Sequence, residues 1–225
     1  MKLKISFLFL FALTAIVNAQ IIITTPYEFS VGVSGGTTFS SVTFSPKVTQ
    51  SMLMGTTLGL TGRMTMGEYV GLQVELNYSQ QGWEENYEDS PEYLYSRRID
   101  YLQFPLYTHI QFGGDKVKGF INAGPQIGYM IGESTKHNPI GEIPGKTTAQ
   151  HDIPVEKKFE WGISGGAGIE IRTGIGYFLL EGRYLYSLGD IYGTKRSDYF
   201  TKASGQTITT KVSYLIPLKK LKVKN

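Results

Sequence analysis

The 225-residue chain contains no cysteine, which excludes disulfides and a cysteine-linked lipid anchor. Charged residues make up 18% of it, below the roughly 25% that is usual in soluble domains. The formal net charge of +3 gives no strongly basic surface, so nucleic acid is not an expected partner. After the first 20 residues no apolar run reaches the roughly 20 residues of a membrane-spanning helix. These absences argue against disulfide scaffolds, nucleic-acid-binding proteins and helical membrane proteins.

The start of the chain is typical of a secretory signal peptide. Lys2 and Lys4 flank the beginning of an apolar stretch from Ile5 to Val17, and the small residue Ala19 provides a cleavage position. A membrane-anchoring helix is the alternative, but the apolar stretch is short for that. The sequence therefore predicts a signal peptide over 1–19, cleaved after Ala19, one β-barrel domain over 20–218 and a basic tail over 219–225.

The remaining sequence alternates apolar and polar residues with a period of two, which predicts β-strands. Eight such segments are expected, joined in turn by long loops and tight turns, with turns near 67–68, 113–115 and 173–174. This order predicts an all-β fold, an eight-stranded antiparallel up-and-down transmembrane β-barrel of the small OmpA and OmpX type. The expected strands lie near 27–38, 54–66, 69–79, 97–112, 119–132, 159–171, 177–188 and 205–218.

The two faces of these strands differ in composition. The polar face is rich in Gly, Thr, Ser and Gln, which suits a narrow interior better than a surface in water. The apolar face carries aromatic residues near the strand ends, such as Tyr129 and Trp161 at one end and Phe112 and Phe178 at the other. We therefore expect an outer-membrane location. The alternative is a soluble ligand-binding barrel, in which the apolar face points inward and the polar face outward.

Charged residues near the middle of the strands are expected inside the barrel. Three are positive and three negative, and buried charges are costly unless paired, so we expect an internal ion-pair network that fills the barrel. A narrow solute pore through this network is the alternative. The candidate interior residues are Arg63, Glu75, Glu170, Glu181, Arg183 and Lys211, together with His109.

The predicted second long loop, Gln80 to Ser96, mixes carboxylates with aromatic residues. Exposed Trp and Tyr are favoured anchors in interfaces, so Trp83, Tyr87, Tyr93 and Tyr95 are candidate contact residues on the surface. Calcium binding by the carboxylates is a second hypothesis, although their spacing matches no known loop motif. A hydrolase or acyltransferase site would need a base and a nucleophile, for which His137, His151 and Ser134 are the candidates in the next loop.

Two stretches, Tyr101-Leu102-Gln103-Phe104-Pro105-Leu106 and Ala123-Gly124-Pro125-Gln126-Ile127-Gly128-Tyr129, resemble the PorT-like outer-membrane β-barrel family of Bacteroidetes. The resemblance implies the same barrel and an outer-membrane location, and some relatives take part in secretion and gliding. It carries over no catalytic residue, because the matching motifs are structural. Proline removes a donor from a strand ladder, so Pro105 and Pro125 are expected to share one local gap or bulge between the fourth and fifth strands.

Taken together, the sequence predicts a non-enzymatic outer-membrane protein without cofactor or metal. Its role would be structural or based on contacts through surface loops or periplasmic turns, with a link to secretion or envelope assembly. Membrane lipid is one expected partner and an envelope protein is another, while the oligomeric state stays open. A narrow solute pore and a barrel enzyme with a loop-borne site are the alternatives.

Overall fold

The computed structural model describes residues 27–87, 90–138, 148–193 and 198–221. The predicted signal peptide over 1–19 and its cleavage position lie outside these residues. The described elements are β1 (Tyr27–Ser45), β2 (Leu53–Met66), β3 (Val70–Tyr87), β4 (Ser90–Gly113), β5 (Val117–His137), a single helical turn α1 (Ala149–Asp152), β6 (Phe159–Thr173), β7 (Gly176–Asp190) and β8 (Lys202–Leu221).

The eight strands form a closed antiparallel barrel in sequence order. Each strand pairs with the next along the chain, and β1 pairs with β8 from Tyr27↔Leu221 to Ser45↔Lys202, which closes the ring. The predicted fold class is therefore confirmed. Short turns join β2 to β3, β4 to β5 and β6 to β7, and in barrels of this kind such turns lie on the periplasmic side. The opposite end, which carries the longer connections, is the extracellular end.

The faces of the strands are oriented as in a membrane barrel. Apolar side chains point outward, and Leu58, Val33 and Ile163 are 63%, 57% and 61% exposed. Polar side chains of the same strands, such as Thr61 and Gln73, are buried inside. A continuous apolar outer band of this kind would be unstable in water, because it leaves a large hydrophobic surface uncovered. The alternative of a soluble ligand-binding barrel is therefore wrong.

Several strand boundaries differ from those expected, and β1 and β5 continue to Ser45 and His137 at the extracellular end. The predicted second long loop is a β-hairpin, because β3 continues to Tyr87 and β4 begins at Ser90. At the other end, β8 runs to Leu221, so the first three residues of the predicted tail belong to the last strand. With 24 residues, β4 is about twice as long as the 9–11 residues that cross a bilayer. The hairpin therefore projects well beyond the membrane.

The ladder between β4 and β5 is interrupted beside the two prolines. Pairing stops at Pro105↔Gln126 and resumes at Thr108↔Ala123 in the same register. The expected gap is confirmed, and because the register is unchanged it interrupts the ladder without inserting a residue.

None of the helical residues that the structure describes forms a segment long and apolar enough to cross a membrane.

Candidate functional site

The interior of the barrel at mid-height is occupied by ion pairs around Glu75. Arg183 binds this carboxylate with two nitrogens, Nη1 at 2.9 Å from Oε2 and Nη2 at 3.0 Å from Oε1. Lys211 Nζ lies 2.7 Å from Oε2, and Arg183 Nη2 also lies 2.7 Å from Oε2 of Glu181. The guanidinium rests over the ring of Tyr107 at 4.4 Å. The four charged groups are thus paired across the barrel, from β3 to β7 and β8.

A second group of ion pairs lies closer to the periplasm. Arg63 Nη1 is 2.6 Å from Oε2 of Glu170, and Arg172 Nε is 2.6 Å from Oε1 of the same carboxylate. Arg172 also donates from Nη2 to Oε1 of Gln111 at 2.9 Å. One carboxylate is therefore shared by two guanidinium groups.

His109 connects the two groups. Its Nε2 lies 3.3 Å from Arg63 Nη1, and its Nδ1 lies 2.8 Å from Oδ1 of Asn122. A guanidinium can only donate, so Nε2 is the acceptor and the ring proton is on Nδ1, which donates to Asn122. Asn122 in turn donates from Nδ2 to Oε1 of Glu181 at 2.9 Å. The structure brings all seven candidate interior residues into one buried polar network, which we call the mid-barrel network: Arg63, Glu75, His109, Glu170, Glu181, Arg183 and Lys211.

This network leaves little free space. The cavity beside Arg183 and Lys211 has a volume of about 20 Å³, and a second one beside Glu160 has about 10 Å³. Spaces of this size hold about one water molecule each. In the described part of the chain, the arrangement can therefore hold charges and water in place, but it offers no wide aqueous channel.

The extracellular end is filled in a different way, by an aromatic cluster that we call the outer dome. Trp83 is fully buried, and its ring lies 5.2 Å from that of Phe44 and 6.3 Å from that of Tyr192. Phe200 packs against Phe44 at 5.1 Å. The dome combines side chains from β1, β3, β4 and β5, from the connections after β1 and before β6, and from the chain after β7. Its members are Val42, Phe44, Val48, Trp83, Tyr93, Tyr95, Ile99, Tyr101, Met130, Val155, Ile191, Tyr192, Phe200 and Ala203.

The interpretation of Trp83, Tyr93 and Tyr95 as surface contacts is wrong. Their exposed fractions are 0%, 2% and 2%, because β3 and β4 keep alternating past the membrane and turn these rings inward. Tyr87 ends β3, and its side chain lies outside the described part. Trp83, Tyr93 and Tyr95 thus belong to the core of the dome.

One buried carboxylate organises the polar contacts of the dome. Glu85 accepts hydrogen bonds at Oε1 from Trp83 Nε1 at 3.0 Å and from Gln150 Nε2 at 2.9 Å. Its Oε2 lies 2.9 Å from Nε2 of His151. Gln150 and His151 belong to α1, so this carboxylate ties the helical turn to the hairpin.

Arg97 ties α1 to the dome from the other side. Its Nη1 donates to the carbonyl oxygens of Ile153 at 2.7 Å and Gln150 at 3.3 Å, and Nη2 lies 3.0 Å from Oε2 of Glu133. Tyr192 donates to the same Gln150 carbonyl at 2.9 Å. Burial raises the pKa of the Tyr192 hydroxyl well above its usual range, so it stays a neutral donor. The connection between β5 and β6 is therefore anchored to the barrel by buried polar contacts.

The histidines considered for catalysis are arranged in a way that favours packing. The ring of His151 stacks on Tyr95 with centroids 3.7 Å apart, and His137 lies 6.1 Å away. Ser134, the candidate nucleophile, is on β5 with its side chain exposed. Among the described residues, no group of three or more His, Asp or Glu side chains is placed to hold a metal ion.

A groove runs along the outside of the dome between β3, β4 and β5. Its volume is about 420 Å³, and Leu94 in its wall is 44% exposed. Glu84 and Lys136 give it charges of both signs. The full lining is Glu84, Leu94, Tyr95, Ser96, Lys136, His137 and Asn138.

The sequence interpretation missed several residues of these sites. Tyr107, Asn122 and Arg172 complete the mid-barrel network, and Arg97 and Tyr192 anchor the dome. A signal for part of the dome was present, because Gln81, Trp83 and Glu85 continue the inward phase of Gln73 and Glu75 along β3. No pattern of that kind marks Tyr192, which lies outside the strands.

Comparison with known proteins gives a family but little detail. A family model described as outer membrane protein beta-barrel domain matches residues 18–193. No curated protein matches the chain. Among solved structures, Ail, the attachment invasion locus protein of Yersinia pestis, is 12% identical with a TM-score of 0.42, covering 84% of this chain and 99% of its own. OprG from Pseudomonas aeruginosa is 11% identical with a TM-score of 0.42, covering 86% and 96%.

The outer membrane enzyme PagL is another similar structure, 14% identical with a TM-score of 0.40, covering 84% of this chain and 99% of its own. Likenesses at this level carry no inference about function. The match of the family model covers most of the chain, so the chain belongs to the outer membrane protein beta-barrel domain family and is an outer-membrane protein.

Proposed function

We propose that this outer-membrane β-barrel protein acts through contacts of its extracellular dome, and that it neither conducts solutes nor catalyses a reaction. The observation that carries the proposal is the dome itself. Its hairpin is a continuation of the barrel strands packed around a buried aromatic core, and it presents a groove of about 420 Å³ on its outer face. A folded surface loses less conformational entropy on binding than a disordered loop does, which favours a recognition role.

The filled interior supports the part of the proposal that the protein does not conduct solutes. The mid-barrel network pairs its charges across the lumen, and the cavity beside Arg183 and Lys211 holds about one water, although a pocket of about 260 Å³ opens beside Gln111 and Arg172 at the periplasmic end. A solute pore would require these ion pairs to separate and leave buried charges without partners, which is costly. The pore is therefore the weaker alternative.

The absence of catalysis is also part of the proposal. A catalytic histidine needs a nucleophile within hydrogen-bond reach, and the ring of His151 is held by Glu85 and stacked on Tyr95. The exposed side chain of Ser134 does not support a nucleophile at this position. A packing and anchoring role for the histidines accounts for these contacts.

The partner is proposed to be a protein of the cell envelope, in a secretion or envelope-assembly process. This part rests on the resemblance to the PorT-like family of Bacteroidetes, whose two motifs lie on the neighbouring strands β4 and β5. Export by a signal peptide cleaved after Ala19 belongs to the same proposal. N-terminal sequencing of the protein from outer membranes checks that cleavage, with Gln20 expected as the first residue.

The experiment that tests the contact role places a photo-crosslinking amino acid at Leu94, in the wall of the groove, in living cells. We expect one discrete adduct that is identified by mass spectrometry. A matched control at Leu60, which is 58% exposed in the lipid-facing band, should give no protein adduct. If Leu94 gives no adduct while the variant reaches the outer membrane in normal amount, the contact role is wrong.

A further inference from the structure

The wall of the barrel is irregular near the outer end of β7. Pairing between β6 and β7 reaches Gly162↔Ser187, and the next backbone bond between these segments is from Lys157 N to Ile191 O at 3.2 Å. Between β7 and β8 the register shifts between Tyr186 and Asp190. The residues between these points form a bulge, which bends the strand and weakens the ladder locally.

A groove follows this bulge on the lipid-facing side. It has a volume of about 510 Å³ and is open outward. Gly189 forms its floor beneath the indole of Trp161, and a Cβ at this glycine would lie 3.1 Å from Cδ1 of the indole. A larger residue at this position would require the indole to shift by a few tenths of an ångström. The lining residues are Lys157, Lys158, Phe159, Trp161, Leu188, Gly189 and Asp190.

The groove has an apolar part and a cationic part. Trp161, Phe159 and Leu188 are 50%, 52% and 44% exposed and belong to the band that contacts acyl chains. Lys157 and Lys158 directly precede β6 on its extracellular side, and both are exposed. The change from apolar to cationic runs along the membrane normal, as the change from acyl chain to headgroup does in a lipid.

We propose that this groove binds one lipid with an anionic phosphate headgroup from the outer leaflet. The phosphate would contact the ammonium groups of Lys157 and Lys158, and an acyl chain would lie along Trp161 and Leu188. The groove is continuous with the lipid-facing surface, and its two lysines complement a negative headgroup. Asp190 also lines the groove, and its Oδ1 accepts a hydrogen bond from the Ala203 amide at 2.8 Å, which turns that oxygen toward β8.

Fluorescence quenching provides a direct test, because the chain has two tryptophans and only Trp161 faces lipid. The protein is folded into phosphatidylcholine vesicles that contain a small fraction of brominated phosphatidylglycerol or, separately, brominated phosphatidylcholine. We expect the anionic lipid to occupy the position beside Trp161 with about thirtyfold preference, about fivefold for each of the two lysines, and to lose it at high salt. Equal quenching by the two brominated lipids would overturn the proposal.

The double substitution Lys157→Gln and Lys158→Gln should abolish the preference, whereas Lys116→Gln and Lys118→Gln, at the periplasmic end, should leave it unchanged. A preference that survives the first double substitution contradicts the proposal. So does its loss on adding inorganic phosphate at constant ionic strength, which would indicate a site for a free anion. The ring of Trp83 is buried, so its fluorescence adds a constant background to that of Trp161. The variant Trp83→Phe removes this background and serves as a check.

Discussion

The mid-barrel network and the outer dome fill the same barrel with opposite chemistry. Inside the membrane-spanning part, Glu75, Arg183 and their neighbours form ion pairs at 2.6–3.0 Å, and the buried apolar side chains there form one small cluster around Phe120 and Leu215. Beyond the membrane, the space between the strands is filled by Trp83, Phe44 and other rings, with Glu85 and Arg97 as isolated polar anchors. The strands are continuous from one region to the other, so the difference comes from side chains alone.

This difference follows from what surrounds each region. In the membrane-spanning part the outer wall must be apolar, so the polar residues of the alternation are confined to the interior and have to satisfy each other there. The dome is surrounded by water, so its outer surface can be polar and its interior can bury apolar surface as in a soluble domain. We infer that the network blocks the lumen of the barrel to solutes and that the dome provides a folded recognition surface.

The largest expected effect comes from removing a charge from the network. Arg183→Met leaves Glu75 and Glu181 with Lys211 as the remaining cation at that height, and breaking a buried pair in this way costs on the order of 5 kcal/mol. Urea unfolding in lipid vesicles, followed by gel mobility of the folded barrel, measures this loss of unfolding free energy. The exposed Lys116→Met is the matched control and should change it little. Equal stability of the two variants would contradict the network's role.

A smaller and local effect is expected in the dome. Trp83→Ala should cost about 3 kcal/mol of local stability, near the lower end for a buried tryptophan, since the surrounding rings can partly collapse into the space. The membrane-spanning barrel should keep its heat-modifiable gel mobility while limited proteolysis begins to cleave the dome. The lipid-facing Trp161→Ala should leave proteolysis unchanged. Simultaneous loss of barrel and dome would show that the two regions unfold as one unit.

The smallest effect concerns the anchor of α1. Glu85→Gln keeps an oxygen for the donors of Trp83 and Gln150 but places an NH2 group where Oε2 faces Nε2 of His151, so the carboxylate contact to α1 is lost at a cost of about 1–3 kcal/mol. Hydrogen exchange at the His151 amide, which bonds to the Thr148 carbonyl, should become faster. The neighbouring Glu84→Gln, on the outer side of the hairpin, should not change it. If the His151 amide exchanges at the same rate in both variants, Glu85 does not anchor α1.

The network was predictable from sequence and the dome only in part. A period of two assigns each residue of a strand to one face, so Arg63, Glu75 and Glu181 could be placed inside together without knowledge of their contacts. No comparable rule marks the residue at which a strand ends. The carboxylates after Trp83 give this hairpin the composition that is typical of a loop. Contacts such as Phe44 with Phe200 join residues that are far apart in the chain, and no local pattern encodes them.

The central claim is that paired charges block the lumen of the barrel. Single-channel recording of the folded protein in planar bilayers tests this claim most directly. We predict that the unmodified protein gives no conductance steps in molar potassium chloride, because separating the ion pairs around Glu75 would leave buried charges without partners. Steady conductance steps of the unmodified protein, changed in size or ion selectivity by Glu75→Gln, would contradict the claim and establish a pore through the network.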